Sequence, residues 1–345
     1  MNIISFGLTL SILVIVGCKK DAATRVIPVT EDQSNSENSF SHENMAYIKG
    51  GSFEMGADNI QADKDEYPKH MVQLSGFWID KTEVTNEQFA QFVKATNYIT
   101  TAEKKIDWED LKEQLPPGTP KPSEDQLQPG SLVFQMVKTD RDYWWKMEAG
   151  ANWKHPSGPK SDIIGKENYP VVQVSWEDAQ AYCKWANKRL PTEAEWEFAA
   201  RGGLVNNIYS WGNQPIDEGK MKANSWQGEF PYINTNKDLF LQSAPVKSFA
   251  ANGYELYDMA GNVWEWCEDW YDYNYYRLLA TGIKNPKGPA KSYDPDDFYA
   301  SKRTIRGGSF LCNDGYCSGY RNARRMKETP DTSMEHIGFR CVSDK

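Results

Sequence analysis

Apolar residues along this chain come in short bursts, and each burst is bounded by turn chemistry. Ala46-Tyr47-Ile48-Lys49-Gly50-Gly51-Ser52-Phe53 predicts a strand, a glycine turn and a second strand, so the fold should begin near Met45. Phe77-Trp78-Ile79-Asp80 predicts another strand, and Thr304-Ile305-Arg306 a late one. Three helices announce themselves by their starts. Thr85-Asn86-Glu87-Gln88 is a capping box ahead of Phe89, Phe92 and Val93 on one helical face. Ser175-Trp176-Glu177-Asp178 repeats that grammar before Tyr182, Cys183 and Trp185. Thr192-Glu193-Ala194-Glu195 repeats it after Pro191, with Gly202-Gly203 as the stop. Carboxylates in these first turns are expected to complement helix dipoles rather than to act as acids.

The two ends of this pattern set the domain organisation. Residues 3–16 are nearly all apolar, too short for a stable membrane anchor, and end at Val16-Gly17-Cys18. Residues 1–18 thereby resemble a bacterial lipoprotein signal peptide, which implies cleavage before Cys18 and its acylation. A plain secretory signal or a short anchor is the other reading. Residues 19–44 are polar, without apolar periodicity, and read as a disordered tether. Residues 45–345 show no linker and no internal repeat, and are taken as one domain. Within it, residues 107–130, with Pro116, Pro117, Pro120, Pro122 and Pro129, read as a surface insertion.

Composition narrows the class. Thirteen Trp and 18 Tyr beside 25 Gly and 18 Pro point to irregular, aromatic-plugged structure with few long helices. A net charge of −9 argues against nucleic acid as partner and is compatible with a basic peptide. Loss of Cys18 would leave Cys183, Cys267, Cys312, Cys317 and Cys341. That odd number in an oxidising compartment leaves at least one thiol unpaired or reactive.

No glycine-rich phosphate loop, HExxH or zinc-spaced CxxC pair occurs, and there are only four His. A two-His iron site or a His-based triad would consume half of them. The chemistry therefore concentrates in Arg306-Gly307-Gly308-Ser309-Phe310-Leu311-Cys312-Asn313-Asp314-Gly315-Tyr316-Cys317. Cys312 and Cys317 can form a structural disulfide, a redox dithiol or a soft-metal site; two thiolates alone suit Cu(I). Arg306, Arg321, Arg324, Arg325 and Arg340 are expected to favour the thiolate forms.

Residues 45–345 resemble the formylglycine-generating enzyme, or sulfatase-modifying factor, family. The likeness is carried by Gly50–Gly56, Thr82–Asn86, Gly150–Pro156, Arg189–Glu197, Asn224–Pro231, Gly261–Trp266, Arg306–Cys317 and Gly338–Cys341. The C-x4-C after Arg-Gly-Gly-Ser is the discriminating motif, because many relatives of this fold lack the thiol pair. The resemblance implies an irregular α+β fold of the C-type-lectin-like superfamily, low in regular secondary structure. It implies oxidation of the cysteine in Cys-x-Pro-x-Arg segments of sulfatases to Cα-formylglycine, with Cu(I) on Cys312 and Cys317 and O₂ as co-substrate. Ser309 and Tyr316 match pocket positions, Trp264 an aromatic wall and Arg325 an active-site arginine. Trp264 as plain core and Arg325 as partner of a surface carboxylate remain the structural alternatives.

Two structural Ca²⁺ sites are implied as well. One uses the Asn224 and Asp238 side chains with the Ser225 and Phe240 carbonyls. The other uses Asp258 and Glu265 with the Gly261 and Val263 carbonyls. The resemblance pairs Cys183 with Cys341 in a disulfide and leaves Cys267 as a buried free thiol. His336 and Asn313 depart from family residues at substrate-contacting positions. An extracytoplasmic, lipid-anchored monomer acting on sulfatases is expected. The alternative is a non-catalytic envelope or motility lipoprotein of the same fold, in which Cys312–Cys317 is an inert disulfide.

Overall fold

The computed structural model describes residues 42–139, 141–279 and 282–344. The signal segment, Cys18 and nearly all of the tether lie outside the described residues. Among those described, no helix is long and apolar enough to cross a membrane.

The predicted strand pair at the start exists, but its strands do not pair with each other. β1 (Met45–Ile48) runs antiparallel to β4 (Phe77–Asp80), and β12 (Val342–Ser343) takes the other edge of β4. β2 (Gly51–Met55) pairs instead with β3 (His70–Leu74), which β8 (Ile283–Lys284) joins in parallel. Gly50 switches the chain between the two sheets at φ +79°, where a Cβ would lie 2.5 Å from the Leu74 carbonyl oxygen. β5 (Gly130–Phe134) and β6 (Trp145–Ala149) form a separate antiparallel pair. The sheet that carries the candidate site has the order β10 (Met326–Glu328), β9 (Arg303–Arg306), β7 (Trp264–Trp270), β11 (Ile337–Gly338).

All three capping boxes form. Thr85 Oγ1 accepts from the Gln88 amide while Gln88 Oε1 accepts from the Thr85 amide at 2.9 Å, opening α1 (Asn86–Thr96). Ser175 with Asp178 opens α3 (Trp176–Trp185), and Thr192 with Glu195 opens α4 (Glu193–Ala200). Between α1 and α3, the insertion carries one short exposed helix, α2 (Trp108–Glu113). It is not wholly superficial, since Leu127 is buried. A last short helix, α5 (Tyr275–Leu278), follows β7.

Two large hydrophobic clusters hold this together, beside a small one of Trp226, Phe310 and Leu311. One packs Phe89 and Phe92 of α1 against Tyr182 and Cys183 of α3, and continues through Trp264 and Trp266 to Cys312 and Cys317. The other packs Trp196 and Ala199 of α4 under Phe77, Ile79 and Cys267. Each fully buried large side chain contributes about 1.5–3 kcal/mol.

α4 carries its acids in the first turn as the dipole expectation has it, and adds buried ion pairs. Glu193 and Glu197 are buried and bind arginines from distant segments: Arg306 reaches both at 2.8 Å, and Arg325 Nε reaches Glu193 at 2.7 Å. Glu197 also takes Arg201 at 2.6 Å. α4 is therefore a buried anionic spine to which the site-bearing segment is bolted.

Candidate active site: a dithiol pocket

The loop after β9 is shaped by Gly307 and Gly308, at φ +97° and +78°. A Cβ on Gly308 would stand 2.6 Å from the Gly319 carbonyl carbon, so both arms of the loop approach closely only because neither carries a side chain there. Within the loop the Cys312 amide donates to the Ser309 carbonyl at 2.9 Å, and the Cys317 amide to the Asn313 carbonyl at 3.2 Å. This turn sets the two cysteines 5.4 Å apart at Cα, and their sulfurs are joined in a disulfide. Both are buried.

The disulfide lines a narrow, partly open cavity of about 20 Å³, enough for one water-sized molecule. Ser309, Trp264 and Tyr316 share that lining, as the resemblance implies. Trp144, Trp145, Phe230, Leu311, Met326 and His336 complete it. Phe230 stacks on Tyr316 at 4.2 Å, and Trp145 meets His336 edge-on at 4.7 Å. Ser309 Oγ lies 3.2 Å from His336 Nδ1. Enclosure of the ring pushes the His336 imidazole down to about 3, so it is neutral at ordinary pH. Asn313 does not line the cavity; its side chain braces the loop, donating to the Gly228 carbonyl at 3.0 Å and accepting from the Tyr316 amide at 2.9 Å.

The arginines do not surround the thiols. Arg325 was expected at the active site, yet it is absent from the cavity wall. Its guanidinium is fully engaged by Glu193 and by the Asp65 and Asp272 carbonyls, over the faces of Tyr271 and Tyr276. Arg306 is held by Glu193 and Glu197, Arg321 by Glu66, Arg324 by Asp63 and Arg340 by Glu265. Buried cations need anionic partners more than the thiols need cations.

The cysteine pairing also differs from expectation. Cys183 and Cys341 stand with their sulfurs 3.2 Å apart as buried thiols, in contact but not bonded, and Cys267 is a third free thiol. Burial, then the neighbouring Cys183, pushes the Cys341 thiol well up, so Cys341 stays protonated.

Of the residues expected around the cations, Asp238 meets the segment of Asn224 and Ser225, and Asp258 lies near Glu265. Asn224 is fully buried and its Oδ1 has no partner among the described residues, the mark of an oxygen awaiting a ligand. Beside it, Asp238 accepts from the Ser225 and Phe240 amides at 3.0 Å each. In the second cluster, Glu265 is engaged by Arg340 at 2.7 Å on both oxygens. Asp258 is pushed up to about 6 by burial, with Glu265 also raising it. Glu83, a residue the sequence reading missed, is buried beside them with no hydrogen-bond partner for Oε2 among the described residues, and is pushed well up by burial and then by Asp258. Three buried carboxyl groups face one guanidinium, and this oxygen-rich donor set fits a hard divalent cation, which would take the place of the protons that burial favours there. The sulfur-only donor set at Cys312 and Cys317, once reduced, fits Cu(I).

The sulfatase-modifying factor enzyme 1-like domain matches residues 30–345. The chain belongs to the formylglycine-generating enzyme family. It is 44% identical over 310 residues to a formylglycine-generating enzyme of Streptomyces coelicolor, covering 86% of this chain and 88% of that one. It is 45% identical over 304 residues to the enzyme of that name from Thermomonospora curvata, covering 87% and 93%. Among solved structures, PvdO from Pseudomonas aeruginosa aligns with a TM-score of 0.58 at 24% identity, over 87% of this chain and 94% of that one. That likeness establishes the shared, weakly regular α+β fold.

Among the pocket residues not singled out from sequence, Phe230 and Leu311 lay inside the matched runs Asn224–Pro231 and Arg306–Cys317, whereas Trp144, Trp145 and Met326 had no readable signal beyond apolar character. Glu83 lay inside the matched run Thr82–Asn86, and Glu193 and Glu197 inside Arg189–Glu197, yet their partners lie far away in sequence.

Proposed function

We propose that this chain matures sulfatases by converting the cysteine of a Cys-x-Pro-x-Arg segment to Cα-formylglycine, with Cu(I) held by Cys312 and Cys317 and O₂ as oxidant. The carrying observation is a pair of adjacent cysteines in an aromatic cavity that contains no carboxylate. Copper, when bound, supplies the redox chemistry. The residues of the chain do the rest. Trp144, Trp145, Phe230 and Trp264 exclude bulk water, which keeps the site dry for a reactive oxidant. The Ser309 hydroxyl, fixed by neutral His336, presents a hydrogen-bonding group beside the sulfurs. Reduction of the Cys312–Cys317 disulfide precedes metal binding. The acidic clusters around Asn224/Asp238 and Asp258/Glu83/Glu265 are assigned to structural Ca²⁺, with the Ser225, Phe240, Gly261 and Val263 carbonyls as further oxygens. Val16-Gly17-Cys18 supports an acylated, membrane-tethered protein outside the cytoplasm.

The test is aerobic incubation of the reduced, copper-loaded protein with a Cys-x-Pro-x-Arg peptide, read by mass spectrometry. Aldehyde formation that is lost in Cys312→Ser supports the reading. The disulfide favours a second reading, a non-catalytic envelope protein of this fold. An unmodified peptide after full reduction and copper loading would decide for it.

A further inference from the structure

A second, larger cavity of about 630 Å³ opens beside the dithiol pocket, and the two share Trp144, Phe230 and Tyr316 as a common wall. Its rim presents three exposed carboxylates, Asp217, Glu229 and Asp314, against one lysine, Lys237. Asp314 is two residues past Cys312, and Tyr320 Oη donates to its Oδ1 at 2.5 Å, which orients the carboxylate. Trp226 forms part of the same wall, is 4% exposed, and its indole N–H has no hydrogen-bond partner among the described residues. A buried donor left unpaired costs about 1–3 kcal/mol and so marks a place for an acceptor. An extended polypeptide supplies such an acceptor at every residue through its carbonyls.

We propose that this groove binds one flank of the substrate polypeptide, outside the Cys-x-Pro-x-Arg run, and selects Lys or Arg there through Asp314, Asp217 and Glu229. The proposal rests on the function proposed above, since the groove is read as an extension of the site that takes the target cysteine. Trp226 receives a backbone carbonyl of the flank, and the aromatic wall at Phe230 and Tyr316 carries the chain from groove to pocket. Because the groove opens on one side of the pocket, the charge preference belongs to one flank only. The carboxylates are exposed, so the attraction is screened by salt.

The experiment uses Cys-x-Pro-x-Arg peptides with Lys or Glu placed on the N-terminal flank, the C-terminal flank, or neither. Binding is read by fluorescence anisotropy on peptides with Ser in place of the target Cys, which needs no copper. Turnover is read in parallel on the Cys peptides. A basic residue on one flank should bind about tenfold more tightly than an acidic one at low salt. Asp314→Asn combined with Asp217→Asn should bring that ratio to within about twofold, and Asp314→Lys should invert it. A ratio near one in the unaltered protein, or one that survives these substitutions, overturns the groove assignment even if the peptides are oxidised. Flank-dependent binding without any oxidation supports the groove and counts against the proposed reaction instead.

Discussion

Glu193 holds Arg325 in a buried two-point ion pair, Oε1 to Nε at 2.7 Å and Oε2 to Nη2 at 3.0 Å, across 132 residues of sequence. Burial alone would push the Glu193 carboxyl up, but Arg325 and then Arg306 outweigh it and hold it below its usual range. Arg325 therefore acts as a tie between α4 and the segment after the dithiol loop.

Arg325→Ala should destabilise the fold by about 3–5 kcal/mol, because it strips a partner from a buried carboxylate. Denaturant unfolding measures this. A variant of wild-type stability that had lost peptide oxidation would instead return Arg325 to the chemistry.

Gly308→Ala should disorganise the dithiol loop. At φ +78° with Gly319 2.6 Å from the new Cβ, strain and backbone clash combine; strain alone costs about 1–3 kcal/mol. The expected readout is a lower Tm together with faster alkylation of Cys312 and Cys317 after reduction. Unchanged alkylation and Tm would contradict the close approach.

Asp269 predicts a pH dependence of stability. Burial, and then the neighbouring Glu193 charge, push it from the ordinary 3.8 up to about 8. The folded state therefore keeps a proton that the unfolded chain releases, so this group's contribution declines as pH rises from about 4 to about 8. Asp269→Asn should gain stability relative to the unaltered protein as pH rises through that window. A difference independent of pH would refute the assignment.

Chelation of divalent cations should lower Tm, and Ca²⁺ should restore it better than Mg²⁺, because carbonyl and carboxylate oxygens around irregular loops suit the larger ion. In Glu83→Gln with Asp258→Asn the Ca²⁺-dependent shift should shrink. A Tm indifferent to chelator would leave the buried charge at Asp258 and Glu83 without its proposed counter-ion.

Local hydrogen bonding explains what was legible in the residues alone. The capping boxes at Thr85, Ser175 and Thr192 close within three residues, as does the glycine stop after Ala200, so neighbouring letters suffice to read them. The same holds for the Gly307-Gly308 turn and for the five-residue spacing of Cys312 and Cys317, and the family's ordered motifs extended that reading to Ser309, Tyr316 and Trp264. Tertiary packing decided the rest. Trp144, Phe230, Trp264 and His336 reach one cavity from four separate segments, and no local pattern records such a meeting. The arginines near the thiols in sequence turn away from them, because a buried guanidinium binds whichever carboxylate the packed fold places against it. Glu193 and Glu197 hold Arg306 and Arg325 in this way, Glu66 holds Arg321 and Asp63 holds Arg324. Sequence carried the turns, the helix starts and the sulfur pair, whereas only burial, which makes every unpaired charge costly, could determine which charges meet.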